Sequence, residues 1–161
     1  MRGRVPISHR LCRVPWLAAV MLGVAAGLLA QPAAPGSGHR RFCAVALYVD
    51  SKATPLAAYQ LEFAVTNGVA KIVGIEGGEH PAFHEPPFYD PKAMQQERVI
   101  IAAFNSSSAD KLPSGKTRVA TIHLLATGTN LLQCRLKLQA AGNAAGEPIL
   151  AGASFEERKP Q

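Results

Sequence analysis

Five side chains able to ligate a metal or move a proton stand within twelve residues of one another: Glu79, His80, His84, Glu85 and Asp90. Two imidazoles at His-x-x-x-His spacing share a face only on a helix, and Pro81 with the Pro86-Pro87 pair forbids a helix here. A loop can still gather such groups around calcium or zinc, but nothing in this spacing fixes a geometry. The expectation is a solvated loop and no metal site. Phe83, Phe88 and Tyr89 are interleaved with these groups. Rings supply contact area and neighbouring polar groups fix orientation, so Phe83, Phe88, Tyr89, His80 and His84 are the candidate binding residues. The other reading of the same rings is a small core belonging to the loop itself.

Other chemistry-bearing patterns fail on their own terms. Gly115-Lys116-Thr117 has the end of a phosphate-binding loop but not its beginning, because Asp110 stands where the first glycine belongs and a strand is expected to follow. No Gly-x-Ser-x-Gly occurs, so the nucleophile elbow is absent. His123 has no matching neighbour in its strand and reads as a satisfied core or surface histidine. Paired carboxylates for glycoside hydrolysis need a cleft, and a domain of about 120 residues with one long loop offers little room for one. No catalytic residue is assigned, no cofactor is called for, and the chain is not expected to be an enzyme.

The net charge of +6 on 161 residues suggests nucleic acid until it is located. Arg2, Arg4, Arg10 and Arg13 lie ahead of an unbroken apolar run at 16–30, and no acid occurs before Asp50. Without residues 1–30, 13 basic residues face 11 acidic ones, and no basic stripe remains to track a phosphate backbone. A basic start, 15 apolar residues and a small residue at Ala30 have the anatomy of a secretory signal. The run is short for a spanning helix, which needs about 20 residues. Cleavage after Ala30 is expected, with a retained signal anchor as the other reading and the only membrane contact. The domain is thus expected outside the cytoplasm: secreted, periplasmic or at the cell surface. Export removes Cys12 and leaves Cys43 and Cys134, in an oxidising compartment. They form either a cross-sheet disulfide, closing 91 residues and stabilising by roughly 4–5 kcal/mol, or two buried free thiols.

The elements that must position these residues are strands. With 48% hydrophobic residues the chain is too apolar for general disorder, and its length suits one domain. From Phe42 onward the hydrophobic period is two. In AYQLEFAVT, Tyr59, Leu61, Phe63 and Val65 take one face, and Gln60, Glu62 and Thr66 the other. In LLQCRLKLQ, Leu132, Cys134, Leu136 and Leu138 oppose Gln133, Arg135, Lys137 and Gln139. Both read as antiparallel strands with one wet face. FCAVALYVD, AKIVGI, RVIIAAFN and TRVATIHLLAT are apolar on both faces and read as central strands, and EPILAGASF as a weaker final one. Turn signals separate them, among them Asn67-Gly68, Pro113-Ser114-Gly115 and Gly142-Asn143. An all-β antiparallel sandwich of 7–9 strands follows. Its expected divisions are a signal at 1–30, a flexible linker at 31–41, the sandwich at 42–155 and a frayed tail at 156–161. Residues 77–97 form a long insertion, with one or two helical turns near 91–97.

Several segments in order resemble the cohesin domain, a jelly-roll sandwich related to certain carbohydrate-binding modules. LYVDSKATPLAAYQLEFAVTNG resembles that family's opening strand, turn and amphipathic strand. KIVGIEGGE resembles its strand ending in glycine before a variable stretch, and RVIIAAFN with SGKTRVATIHLLATG its closing pattern. The resemblance covers most of 42–155 and implies non-catalytic binding: docking of a dockerin-like protein, or contact with a polysaccharide. The insertion at 77–97 is this sequence's own, so no binding residue is carried over from the family. Two other functions stand beside this one: a small exported metal-dependent hydrolase built on the 77–97 loop, and a purely structural envelope protein.

Overall fold

The computed structural model describes residues 39–129 and 131–158. The signal segment, nearly all of the linker and residues 159–161 lie outside the described residues. The strands are β1 (Arg40–Asp50), β2 (Ala58–Asn67), β3 (Val69–Gly77), β4 (Phe88–Tyr89), β5 (Arg98–Phe104), β6 (Lys116–Thr127), β7 (Gln133–Gly142) and β8 (Gly152–Arg158). They make two four-stranded sheets, ordered β3-β6-β1-β8 and β4-β5-β2-β7, with every pairing antiparallel. The fold is an all-β sandwich.

Except between β4 and β5, each connection carries the chain from one sheet to the other. The turn signals are therefore corners rather than hairpins. At the β2–β3 corner, Gly68 sits at φ +90° and its N–H donates to Asn67 Oδ1 at 2.8 Å. That backbone conformation is nearly free only for glycine.

The period-two pattern fills the space between the sheets. Leu47, Leu61, Phe63, Ile101, Ile122 and Leu124 are fully buried and belong to one cluster drawn from both sheets. Side chains of this size each contribute about 1.5–3 kcal/mol relative to exposure. Tyr59 crosses that core: its phenol donates to the Val119 carbonyl of the opposite sheet at 3.0 Å. Burial drives its pKa well above the usual phenol range.

The boundaries depart from expectation in several places. β1 starts at Arg40, inside the expected linker, and β8 runs to Arg158, into the expected frayed tail. Glu156–Arg158 are held by backbone pairing with Ala44–Ala46 and by a Lys116–Glu156 ion pair of 2.7 Å. The final strand begins at Gly152, and the residues before it make only a Gly142–Pro148 bridge. The helical turn is a single 3-10 turn, Pro91–Ala93, capped by Asp90 Oδ1 accepting from the Lys92 N–H at 2.9 Å. β3 is not a central strand, whereas β5 is paired on both sides. β3 is the edge of its sheet, its flank closed by hydrogen bonds from Ile72 N to the Gln96 carbonyl and from Gln95 N to the Ile72 carbonyl. Beyond β5 lies only the two-residue β4.

Candidate functional site

The five candidate binding residues separate. Phe83 folds inward, 2% exposed, with its ring edge-on to Tyr59 at a centroid distance of 5.2 Å. It caps the end of the core, held by hydrogen bonds from Gly78 N to its own carbonyl at 2.6 Å and from Asn105 Nδ2 to the Ala82 carbonyl at 3.0 Å. Tyr89 is half-buried against the same core. His80 caps the 3-10 turn Pro81–Phe83, its Nδ1 accepting from the Ala82 N–H at 3.2 Å. His84 is exposed and lines a polar depression with Glu76, Glu85, Arg118 and Arg158. Phe88 alone of the five points to solvent from the outer face of the β4-β5-β2-β7 sheet, 70% exposed.

Two of the other groups of the loop accept backbone hydrogen bonds. Glu79 Oε1 accepts from the Arg118 N–H at 3.1 Å, and Asp90 caps its turn. Among the described residues no three His, Cys, Asp or Glu side chains converge as a metal ion would need. The loop lies close on the sheet because of two glycines. A Cβ on Gly77 would run into the backbone carbonyl of His84, and one on Gly78 into that of Arg118.

Phe88 has a partner that sequence reasoning missed. β4 pairs with β5 so that Phe88 stands opposite Ala102, and Phe104, two residues on, projects from the same face. The two rings are near-parallel, 13° apart with centroids at 6.1 Å, and Phe104 is also 70% exposed. They wall one side of a trough of about 720 Å³, within the usual range for ligand sites. Register supplies the floor: Ala102, Gln60 and Ala140 form one row across the sheet, and Phe104, Ala58 and Gly142 the next. Small floor residues let a ligand approach the backbone closely. Gly146 and Pro148, in the β7–β8 connection, form the opposite wall.

A polar chain runs out of the trough along the sheet. Gln60 Nε2 donates to Gln139 Oε1, and Gln139 Nε2 donates to Glu62 Oε2 at 3.0 Å. A bulge opposite the Gln60–Leu61 step of β2 leaves Gln139 unpaired and sets Ala140 opposite Gln60. Glu62, in turn, accepts from Arg98 Nε at 3.1 Å and lies 3.7 Å from Arg135 Nη2. The Arg98 guanidinium, above all, holds the Glu62 carboxyl below its usual range. Lys137 stands directly opposite Glu62 on β7. The polar wet face expected of β7 is thus present, with Gln133, Arg135, Lys137 and Gln139 outward.

Cys43 and Cys134 project into the same core from opposite sheets, and both are free thiols. Burial raises the pKa of each, that of Cys134 to about 11, and for Cys134 the neighbouring Cys43 adds to the effect. Among the described residues no helix is long and apolar enough to cross a membrane. No family model, no curated protein and no solved structure matches this chain.

Proposed function

We propose that the chain is a non-catalytic, cohesin-like binding module acting outside the cytoplasm, and that it contacts polysaccharide through the outer face of the β4-β5-β2-β7 sheet. The observation that carries this reading is the trough itself. Phe88 and Phe104, each 70% exposed, flank an alanine floor that leads into the Gln60–Gln139–Glu62 chain. Exposed rings offer flat apolar faces to sugar C–H groups, and amides and carboxylates held flat on a sheet are preorganised for hydroxyls. The resemblance to cohesins also allows a dockerin-like protein helix. Between β5 and β7 the floor spans two strand spacings, roughly 10 Å, less room than a helix of about 10–12 Å needs between walls. A sugar chain is narrower and fits. The basic, apolar and small-residue order at the amino terminus supports export.

The test is binding to a panel of immobilised plant and bacterial polysaccharides by the full chain and by Phe88→Ala/Phe104→Ala. The double variant is expected to lose at least about tenfold in affinity. Its stability should stay within about 0.5 kcal/mol of the parent, because both rings are solvent-exposed. Capture of a protein helix with no glycan retained would replace polysaccharide with a protein partner. Turnover of any glycan by the purified chain would end the non-catalytic reading.

A further inference from the structure

We infer that the sheet-face site selects acidic polysaccharides, with Phe88 and Phe104 stacking the sugar chain and Arg98 and Arg135 receiving its carboxylates. The inference rests on the polysaccharide reading above and adds the charge of the ligand.

Its basis is an imbalance confined to one face. Arg98, Arg135 and Lys137 surround a single carboxylate, Glu62. Register places Arg98, Ala64 and Arg135 in one row across β5, β2 and β7, two residues along β2 beyond Glu62. The side chain of Glu62 is only 14% exposed, whereas those of Arg98 and Arg135 are 58% and 66% exposed. The carboxylate is low in the sheet surface and the cations stand above it. The Arg98–Glu62 hydrogen bond uses Nε and leaves the two terminal nitrogens of Arg98 without a partner among the described residues. Glu147 is the other carboxylate near the trough, at the rim beyond Gly142, and it accepts from Asn143 Nδ2 at 3.0 Å.

A planar guanidinium with spare N–H groups binds a carboxylate through paired, charge-assisted hydrogen bonds. Glu62 fixes the Arg98 fork in place, so less side-chain freedom is lost when a ligand arrives. From Ala58 in the trough to Ala64 between the two arginines, β2 advances six residues, roughly 20 Å. One extended sugar chain lying along the strand thus meets rings first, amides next and cations last. A neutral chain gains nothing at the far end of that path, while a uronic acid places a carboxylate there.

The experiment measures affinity in a chelator, at low and high salt. The probes are tetrasaccharides of galacturonic acid and glucuronic acid and their neutral galactose and glucose counterparts. The full chain is expected to bind an acidic probe about tenfold more tightly than its neutral match at low salt. The gap should close as salt screens the exposed cations. Arg98→Gln/Arg135→Gln is expected to abolish the preference while retaining neutral binding, and Phe88→Ala/Phe104→Ala to lose both. Equal affinity for acidic and neutral probes, or a preference that survives Arg98→Gln/Arg135→Gln, overturns the acidic selection and leaves the polysaccharide reading standing. Binding of none of the four overturns both.

Discussion

On the outer face of the β3-β6-β1-β8 sheet, Ala46 and Thr121 stand opposite one another and keep 1% and 0% exposure. Arg118 lies over Thr121, donating from Nη1 to its hydroxyl at 3.0 Å and to the Gly77 carbonyl at 3.3 Å. Two pairs of charges lie on that face: Lys116 with Glu156 at 2.7 Å and Arg118 with Glu79 at 3.8 Å. His123 Nε2 lies 3.1 Å from Glu76 Oε1, close but not aligned as a hydrogen bond. The outer face of the β4-β5-β2-β7 sheet also has alanines between its larger side chains; Ala64 is covered, but Ala140 is exposed, Ala58 and Ala102 are half-exposed, and its rings stay in water. Arg98 and Arg135 there share one carboxylate, and Lys137 stands across from it on β7. The first face closes over its small residues beneath Arg118, and its exposed apolar side chains, Phe42 and Val69, lie at the other end of the sheet. The second keeps apolar area, open floor and spare donors, which is what a recognition surface requires.

The comparison breaks most severely at Gly77, where the closed face is sealed. A methyl group at that position meets the His84 carbonyl, a backbone atom that cannot turn aside. Gly77→Ala is expected to expel the loop that carries Phe83 and to cost about 3 kcal/mol or more. A urea midpoint equal to that of the parent would show that the loop does not depend on this close approach.

An arginine from each face gives the next effect. Arg118→Ala removes three interactions at once and leaves the buried Thr121 hydroxyl without its donor, for an expected loss of about 2 kcal/mol. Arg98→Ala, on the open face, is expected to leave the thermal midpoint unchanged and to alter ligand binding alone, since exposed ion pairs contribute little. Thermal melts of the two variants side by side sharpen the contrast. Equal shifts would erase it.

Tyr59 joins the two sheets beneath both faces. Tyr59→Phe keeps the ring against Phe83 but leaves the Val119 carbonyl without its partner. Loss of one buried hydrogen bond is expected to cost about 1–2 kcal/mol, read as a lower denaturant midpoint with an unchanged slope.

Much of this was legible along the chain, and the misses share a cause. β2 and β7 alternate apolar with polar, so their faces, including Gln60, Glu62, Arg135, Lys137 and Gln139, could be assigned from spacing alone. In β5, Val99 and Ile101 face the core, while Ile100, Ala102 and Phe104 take the outer face. Both sets are apolar, and a strand that is apolar on both sides reads as a buried one. An outward apolar row at a binding surface carries the same pattern as a row covered by another layer. Phe104 was invisible for the reason that it matters. The loop rings divided for a different reason: Phe88 enters a strand pair and Phe83 does not, and that pairing depends on β5, ten residues further on. Strand order was equally out of reach, because β1 lies beside β6 and β8 rather than beside its neighbours in sequence.

The smallest expected effect lies in the core between the two faces, at Cys134. Burial, chiefly, and the neighbouring Cys43 raise its pKa from 9.0 to about 11. The unfolded chain releases this proton near pH 9, and the folded chain holds it until about pH 11. Between those values the folded state binds more protons, so stability falls as pH rises. The contribution is fully present below pH 9 and is lost as pH passes through about 11. Cys134 is only half-buried, so solvent screening keeps the effect modest. Denaturant midpoints at intervals from pH 8 to 11 should decline more steeply for the parent than for Cys134→Ala, and identical slopes would remove Cys134 from the account. A thiol count on denatured, unreduced protein that lacks residues 1–30, and with them Cys12, accompanies the series. Two titratable groups match the free thiols of this structure. None would mean that Cys43 and Cys134 are joined; the parent would then lack any thiol-linked decline, and Cys134→Ala, with the buried Cys43 thiol set free, would be the one to show it.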